Sequence, residues 1–370
     1  MKILFCGISV PEKIEYQVEH ISAAGNRFQN NMIQTLRAMG HEVTILSYIA
    51  MQIPKDMSGV LSNTKQQIYV LRNNGGIKAT WKAIKECQKN VKNLLLEHDI
   101  VIAYNVFYSF LYLPFISKKY KKRSILILAD YSGKECYSSL LGKLYATCQR
   151  YAMRKYDTVV GLSSNIAGAL KKCQKFILME GGISQEFYDK FAYKEKEENT
   201  SISFMYSGLL SKVTGVDILL EAMKSFENEN VELWISGKGD LEENVKLAAQ
   251  SDNRIRFYGH MEYEDYMKKL QNADILINPR NMSLPENQNN FPSKIMDYLA
   301  TGKPVISSKF VGWEKFRQEI WFYEDDLTEG MKLAYAKMEQ QTIDGRIIFQ
   351  CNRQRAKEYL WMEQLKKILK

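Results

Sequence analysis

The sequence predicts an α/β protein of two doubly wound, Rossmann-like domains that face a central cleft. Short β-branched runs alternate with amphipathic helical stretches along the chain, as in parallel sheets with helical crossovers. The length of 370 residues suits two domains of ordinary size. A predicted strand is followed by a glycine turn twice, at Gly7 and at Gly208, so the second half repeats the pattern of elements in the first. Ligands of such sheets lie beyond the carboxyl ends of the strands.

The first domain is expected to span residues 1–192. Its predicted strands are residues 2–6, 42–47, 67–71, 99–104, 124–129, 158–162 and 175–179. A charged stretch, residues 193–200, has no core-forming residue and is typical of an interdomain linker. The second domain is expected over residues 193–351, with strands at 203–206, 231–235, 255–257, 274–278 and 304–307. Residues 352–370 predict a terminal helix, which could pack back on the first domain.

Composition narrows the functional class. Hydrophobic residues make up 45% and charged residues 25%, as in soluble globular proteins. The start of the chain lacks a secretory signal, and no apolar run reaches the roughly 18 residues of a membrane span, so we expect a cytoplasmic protein. Six cysteines and four histidines are scattered without metal-ligand spacing, so we expect no metal site. The net charge of +9 favours an anionic partner.

The most informative stretch is residues 274–306, which reads as strand, polar loop, helix and strand. Pro292 and Ser293 suit the start of a helix. The free N–H groups and positive dipole end of a helix start favour a phosphate. Lys294 in the first turn opposes the dipole unless an anionic ligand is present, and Asp297 could accept hydrogen bonds from the diol of a ribose. The alternative is a surface helix with a serine cap and solvated charges.

Residues 289–297 resemble the paired-acid motif of the family-4 retaining glycosyltransferases, which have the GT-B fold. In that motif two acidic residues are separated by seven. Asp297 matches the second position, where the family holds the nucleotide ribose. Asn289 stands at the first position, where the family has a glutamate that helps to hold the donor sugar. The resemblance therefore implies a nucleotide-sugar donor, while the departure at Asn289 leaves the sugar open.

Residues 206–222 resemble the glycine-rich phosphate loop of the same family. Gly208 and Gly215 match at the right spacing, but Leu209 and Thr214 occupy the positions of the usual arginine and lysine. We therefore expect the positive charge to come from other cations: Arg280, Lys294 and Lys212.

Weaker matches complete the resemblance. Gly237 lies in a glycine pair after a strand, and His260 in a loop that in the family lies against the nucleotide base. Gly25 and Asn26 open a helix where family members contact the acceptor and the donor phosphate; the alternative is a plain βαβ connection. Asp130 ends a predicted strand, where a carboxylate could orient or deprotonate an acceptor hydroxyl, although aspartate is also a common turn former.

A basic cluster follows an apolar helical stretch in the first half. It consists of Lys118, Lys119, Lys121, Lys122 and Arg123. One interpretation is a solvated loop. The other is a contact with an anionic membrane surface, where each cation gains about 1 kcal/mol. No nucleic-acid-binding motif accompanies the charge, so we expect no nucleic-acid partner.

Together these features predict a metal-independent glycosyltransferase of the hexosyl-transferring kind, and the resemblance implies a retaining reaction. Its donor would be a nucleotide-diphosphate sugar, with no further cofactor, and its acceptor a saccharide or a lipid-linked saccharide. The expected role is surface polysaccharide or glycolipid biosynthesis, in the cytoplasm or at the inner face of the membrane. Two alternatives stay open: a catalytically silent partner subunit, and a sugar-nucleotide epimerase of the same fold.

Overall fold

The structure is a computed structural model of the whole chain. It describes residues 1–11, 14, 22–49, 61–72, 76–129, 137–170, 174–193, 201–284, 287, 291–339 and 344–370. The chain divides into two compact units: Met1–Glu180 together with Trp361–Lys370, and Gly181–Leu360. The chain leaves and re-enters the first unit at neighbouring points, since the N–H of Ile183 donates to the carbonyl of Tyr359 at 2.8 Å. The boundaries expected at 192/193 and 351/352 both fall inside the second unit, and residues 194–200 of the expected linker lie outside the described residues.

The first unit is built on a parallel sheet of seven strands in the order β3-β2-β1-β4-β5-β6-β7. The strands are β1 Lys2–Gly7, β2 Glu42–Ile49, β3 Gln67–Leu71, β4 Ile100–Tyr104, β5 Arg123–Leu128, β6 Thr158–Gly161 and β7 Lys175–Leu178. Its helices are α1 Ala23–Ala38, α2 Ile77–Leu95, α3 Leu113–Lys119 and α4 Leu140–Met153. Strands β1 to β3 are added toward one edge of the sheet and strands β4 to β7 toward the other. The boundary between β1 and β4 is therefore the switch point of a doubly wound fold.

Alternate residues of these strands build two separate cores. Leu4, Cys6 and Val101 face α2, α3 and α4. Ile3, Phe5 and others on the same strands face α1 and the C-terminal helix. Because both faces of a parallel sheet are covered, its strands appear in the sequence as continuous apolar runs rather than alternating ones.

The second unit has a parallel sheet of six strands in the order β10-β9-β8-β11-β12-β13. The strands are β8 Ile202–Ser207, β9 Val231–Ser236, β10 Ile255–Phe257, β11 Ile275–Asn278, β12 Val305–Ser308 and β13 Ile320–Tyr323. The helices are α5 Gln185–Asp189, α6 Val216–Lys224, α7 Glu242–Ser251, α8 Tyr263–Asn272, α9 Lys294–Thr301, α10 Leu327–Glu339 and α11 Gly345–Lys357. The first strand of the unit, β8, again lies beside the switch point, next to β11.

The end of the chain differs from the single helix expected over residues 352–370. Helix α11 ends at Lys357, and a second helix, α12 Trp361–Leu369, belongs to the first unit. Between them the chain pairs with Ile183, which breaks the helical path. Trp361 packs edge-on against Phe28 of α1, with ring centroids 4.7 Å apart. The guanidinium of Arg123 donates to the carbonyls of Leu369 and Ile368 at 2.8 and 3.0 Å and so caps α12.

The predicted Rossmann-like architecture is confirmed in both units. All twelve predicted strands are present, most of them shifted at an end by one or two residues. Strand β13 was not predicted. Within the described part of the chain, no helix is long and apolar enough to cross a bilayer.

Candidate functional site

The carboxyl ends of four neighbouring strands of the second unit are joined through their backbone turns. The N–H of Gly208, after β8, donates to the carbonyl of Ser236 at the end of β9, at 2.9 Å. The N–H of Gly237, after β9, donates to the carbonyl of Gly259, after β10, at 2.8 Å. The fourth end is that of β11, where Pro279 meets the β8 turn. These turns form one continuous ledge at the edge of the sheet where a doubly wound fold binds its ligand.

Two glycines of this ledge are required by their conformation and by their neighbours. Gly237 has a φ of 141°, and a Cβ there would lie 1.7 Å from the carbonyl oxygen of Gly208. Gly215 has a φ of 76°, and a Cβ there would lie 1.9 Å from the carbonyl oxygen of Pro279. A side chain at either position would separate adjacent turns, so the glycines that the sequence singled out serve close backbone packing.

Lys294 lies across Gly208. A Cβ built on Gly208 would be 2.3 Å from Cε and 2.9 Å from Nζ of that lysine. Lys294 is the first residue of α9, while Gly208 directly follows β8, so the ammonium group of the helix start is brought onto the turn after that strand. The structure therefore brings together two of the residues predicted to bind the donor.

Arg280 adds a second cation to the same ledge. It follows β11, which pairs directly with β8, and its charge acts on the hydroxyl of Tyr206. Burial raises the pKa of Tyr206 to about 12, with the Thr214 hydrogen bond and the Arg280 charge acting in the opposite direction. Burial also lowers the pKa of Arg280, although a guanidinium stays charged at neutral pH.

The turn after β8 is fixed by hydroxyl groups. The carbonyl of Leu209 accepts hydrogen bonds from the Tyr206 hydroxyl at 2.7 Å and from Oγ1 of Thr214 at 2.6 Å. Thr214, which the sequence resemblance aligns with a lysine, therefore holds the loop instead of supplying charge. The Leu209 side chain, which the resemblance aligns with an arginine, is 58% exposed. Lys212 is exposed in the same turn.

Helix α9 begins without a side-chain cap. Ser293 has helical dihedrals, with φ −53° and ψ −29°, and its side chain makes no capping hydrogen bond. Asp297 lies in the first turn and is half-buried. Burial raises the pKa of Tyr263 at the start of α8; the charge of Lys190 acts against this, and the charge of Asp297 adds a smaller increase. The helix start thus presents a lysine, a carboxylate and a dipole end at one place.

A buried asparagine links the site's loops and was not predicted. Nδ2 of Asn287 donates to the carbonyls of Val213 and Asn281, both at 2.7 Å. It thereby ties the loop after β11 to the loop after β8. A single asparagine in a polar loop carries no sequence signal of such a role. Its neighbour in sequence, Asn289, lies outside the described residues.

The other predicted site residues are placed as follows. His260 is exposed and follows Gly259 at the end of the ledge. In the first unit, a Cβ on Gly25 would lie 3.2 Å from the hydroxyl of Tyr104. Asn26 is 1% exposed, and its Oδ1 accepts from the N–H of Val10 at 2.9 Å. Asp130 lies outside the described residues. Among the described residues, no group of three or more His, Cys, Asp or Glu side chains could hold a metal ion.

Residues 188–315 match the family described as glycosyl transferases group 1. The matched residues lie within the second unit. The match begins within α5 and ends between β12 and β13, so it contains the whole ledge and the start of α9.

Relatives of this chain are distant in sequence. A segment of 108 residues, 28% of this chain, is 27% identical to the amylovoran biosynthesis glycosyltransferase AmsK of Erwinia amylovora. The match spans only 26% of that protein's length.

Solved structures are similar over the whole chain. Alr3699/HepE of Anabaena, in complex with UDP, has a TM-score of 0.70 at 14% identity, over 100% of this chain and 99% of that one. The lipopolysaccharide outer core galactosyltransferase WaaB, in its apo form, has a TM-score of 0.68 at 16% identity, over 100% and 99%. At such identities the likeness concerns the fold, and it shows the predicted two-domain Rossmann-like architecture of GT-B glycosyltransferases.

Proposed function

We propose that this chain is a retaining glycosyltransferase that moves a hexosyl group from a nucleotide-diphosphate sugar to a saccharide or lipid-linked acceptor. The observation that carries the proposal is the approach of Lys294 to Gly208 at the end of β8, beside Arg280. Surface polysaccharide or glycolipid biosynthesis is the proposed setting, because AmsK and WaaB are named for amylovoran and lipopolysaccharide synthesis.

The ledge suits the charge that develops when a nucleotide diphosphate leaves. As the bond between the anomeric carbon and the phosphate oxygen breaks, negative charge accumulates on the diphosphate. Lys294, Arg280 and the N–H groups at the start of α9 are preorganised donors for that charge. In a retaining transfer, the acceptor oxygen bonds to the anomeric carbon on the face that the phosphate leaves, and its proton passes to the leaving phosphate.

In this proposal Asp297 accepts hydrogen bonds from the ribose, His260 lies against the base, and the first unit binds the acceptor. Asp130, Gly25 and Asn26 are the proposed acceptor-side residues. The transfer needs no metal and no cofactor besides the donor, so chelation with EDTA should change the rate by less than about twofold. A rate that depended on added Mg²⁺ or Mn²⁺ would contradict that part of the proposal.

One observation favours a second candidate, a catalytically silent subunit that keeps the fold. Two positions that carry cations in the family hold Leu209 and Thr214, and Thr214 is committed to the Leu209 carbonyl. A silent subunit would bind the nucleotide without hydrolysing the sugar donor. Calorimetry and turnover measured on the same protein separate the two candidates.

The direct test is hydrolysis or transfer of nucleotide sugars by the purified protein, using UDP-, GDP- and ADP-linked hexoses. Lys294→Ala should lower kcat/KM about 10-fold to 150-fold, since it removes a charged hydrogen bond worth about 1.5–3 kcal/mol. Lys224→Ala is the matched control, because Lys224 is exposed at the end of α6 remote from the ledge. Equal rates for the two variants would show that Lys294 does not bind the donor.

A further inference from the structure

Three helices form a layer on one face of the sheet of the first unit. Helices α2, α3 and α4 pack side by side on one face of the sheet, through buried residues such as Ala83, Leu113 and Ala152. The opposite face is covered by α1 and α12. The three-helix layer therefore has one side in the core and one side in solvent.

The solvent side of this layer is strongly cationic. It carries nine exposed lysine and arginine side chains and a single carboxylate, Glu86; the cations are Lys78, Lys82, Lys85, Lys89, Lys92, Lys118, Lys119, Lys143 and Arg150. The predicted basic cluster is one end of this surface. Arg123 of that cluster is directed instead to the end of α12, where it donates to two carbonyls.

The same side exposes large apolar groups. Of the sixteen large apolar side chains exposed in the described part of the chain, seven lie on these three helices: Ile77, Trp81, Phe115, Leu140, Leu141, Leu144 and Tyr151. The rings of Phe115 and Tyr151 stack across α3 and α4, with centroids 5.7 Å apart. Exposed apolar groups concentrated in one area mark a contact surface rather than ordinary solvent-facing helices.

A groove between α2 and α3 is lined by both cationic and apolar side chains. It has a volume of about 620 Å³, and its floor includes Tyr112 and Phe115. Four lysines surround it: Lys85, Lys89, Lys92 and Lys119. Lysines around an aromatic floor can hold a phosphate at the rim while the apolar groups enter the region of glycerol and acyl chains.

We propose that the three-helix layer docks on the anionic leaflet of a membrane, with a lipid headgroup phosphate in the groove between α2 and α3. A nucleic acid would match the charge, but the exposed leucine and isoleucine side chains of α2 and α4 have no counterpart on a phosphate backbone. This inference rests on the lipid-linked acceptor of the proposed function and names the surface that would bring the protein to the membrane.

The test is binding of the full chain to vesicles of phosphatidylcholine with and without phosphatidylglycerol. We expect binding only to the anionic vesicles, with a blue shift of the Trp81 emission that Trp81→Phe removes. Lys89→Gln/Lys92→Gln should weaken binding about 25-fold, at about fivefold per lysine. Arg27→Gln/Lys367→Gln removes the same charge from α1 and α12 on the opposite face, and should change binding less than about twofold.

A second variant separates the apolar contribution from the charge. Phe115→Ser/Tyr151→Ser keeps every cation, and it should abolish the part of the binding that survives 0.5 M salt. Thermal unfolding of each variant checks that it is folded. The proposal is overturned by equal binding to neutral vesicles, by an unchanged Trp81 emission, by equal effects of the two double variants, or by tighter binding to single-stranded RNA than to vesicles. Donor hydrolysis in vesicle-free solution tests the proposed function separately. Vesicle binding without hydrolysis would therefore support the membrane-docking surface and contradict only the proposed function.

Discussion

Replacing Gly208 by alanine should weaken nucleotide binding by moving Lys294. The new methyl group would lie 2.3 Å from Cε and 2.9 Å from Nζ of the lysine, well inside van der Waals contact. The two nearest atoms belong to the end of a flexible side chain, so the lysine moves and the fold survives. The hydroxyl of Tyr206, at 3.1 Å, has to shift by only a few tenths of an ångström. Because a charged hydrogen bond contributes about 1.5–3 kcal/mol, a displaced ammonium should lose at least about 1 kcal/mol, or about fivefold in Kd.

The assay is a double-mutant cycle by calorimetry, with UDP, GDP and ADP as ligands. It compares the native chain, Gly208→Ala, Lys294→Ala and the double variant. If the methyl group acts through the lysine, Gly208→Ala has no further effect once Lys294 is alanine, and the coupling equals the whole effect of Gly208→Ala. Gly168→Ala is the control, since a Cβ there meets nothing within 4 Å. Fully additive effects of the two substitutions on Kd would show that the methyl group does not act through Lys294.

Three further predictions concern stability. Gly237→Ala should lower the free energy of unfolding in urea by about 3 kcal/mol or more. Gly40 is also at positive φ but has no neighbour within 4 Å, so Gly40→Ala should lower it by only about 1–2 kcal/mol. Equal losses would show that the contact with Gly208 does not matter. Hydrogen bonds from Arg254 lower the pKa of Asp252, so this carboxylate stabilises the fold above its unfolded pKa of about 3.9, and the stabilisation is lost as the pH falls through the lower folded value. Asp252→Asn should therefore flatten the acid limb of a pH titration of stability, and an unchanged limb would contradict this. Arg123→Met should speed amide exchange in α12 selectively, because it removes the cap on two carbonyls; uniform exchange rates would argue against that cap.

Much of the fold could be predicted because both sheets are buried on both faces. Continuous apolar runs such as those of β1 and β8 mark such strands without reference to distant residues. Strand β13 escaped prediction because its four residues, Ile-Trp-Phe-Tyr, follow a turn with no helical crossover pattern around it. The break before α12 depends on pairing between Ile183 and Leu360, which are far apart in sequence.

The candidate site was predictable where one local feature sufficed. Lys294 in a first helical turn and Gly208 after a strand are visible as local anomalies, although the contact between them is a property of the tertiary structure. Asn287 was missed because its bonds to Val213 and Asn281 exist only when two loops meet. Arg123 was grouped with the basic cluster for a similar reason, since its carbonyl partners lie at the other end of the chain.

The central claim is that the start of α9, with Lys294 over Gly208 and Arg280 beside it, holds the donor's diphosphate. A crystal structure with the tightest-binding nucleotide diphosphate tests it most directly. We expect phosphate oxygens at about 2.7–3.2 Å from Nζ of Lys294 and from the Arg280 guanidinium, and ribose hydroxyls that donate hydrogen bonds to the Asp297 carboxylate. A nucleotide bound elsewhere, or one whose phosphates turn away from α9, would contradict it.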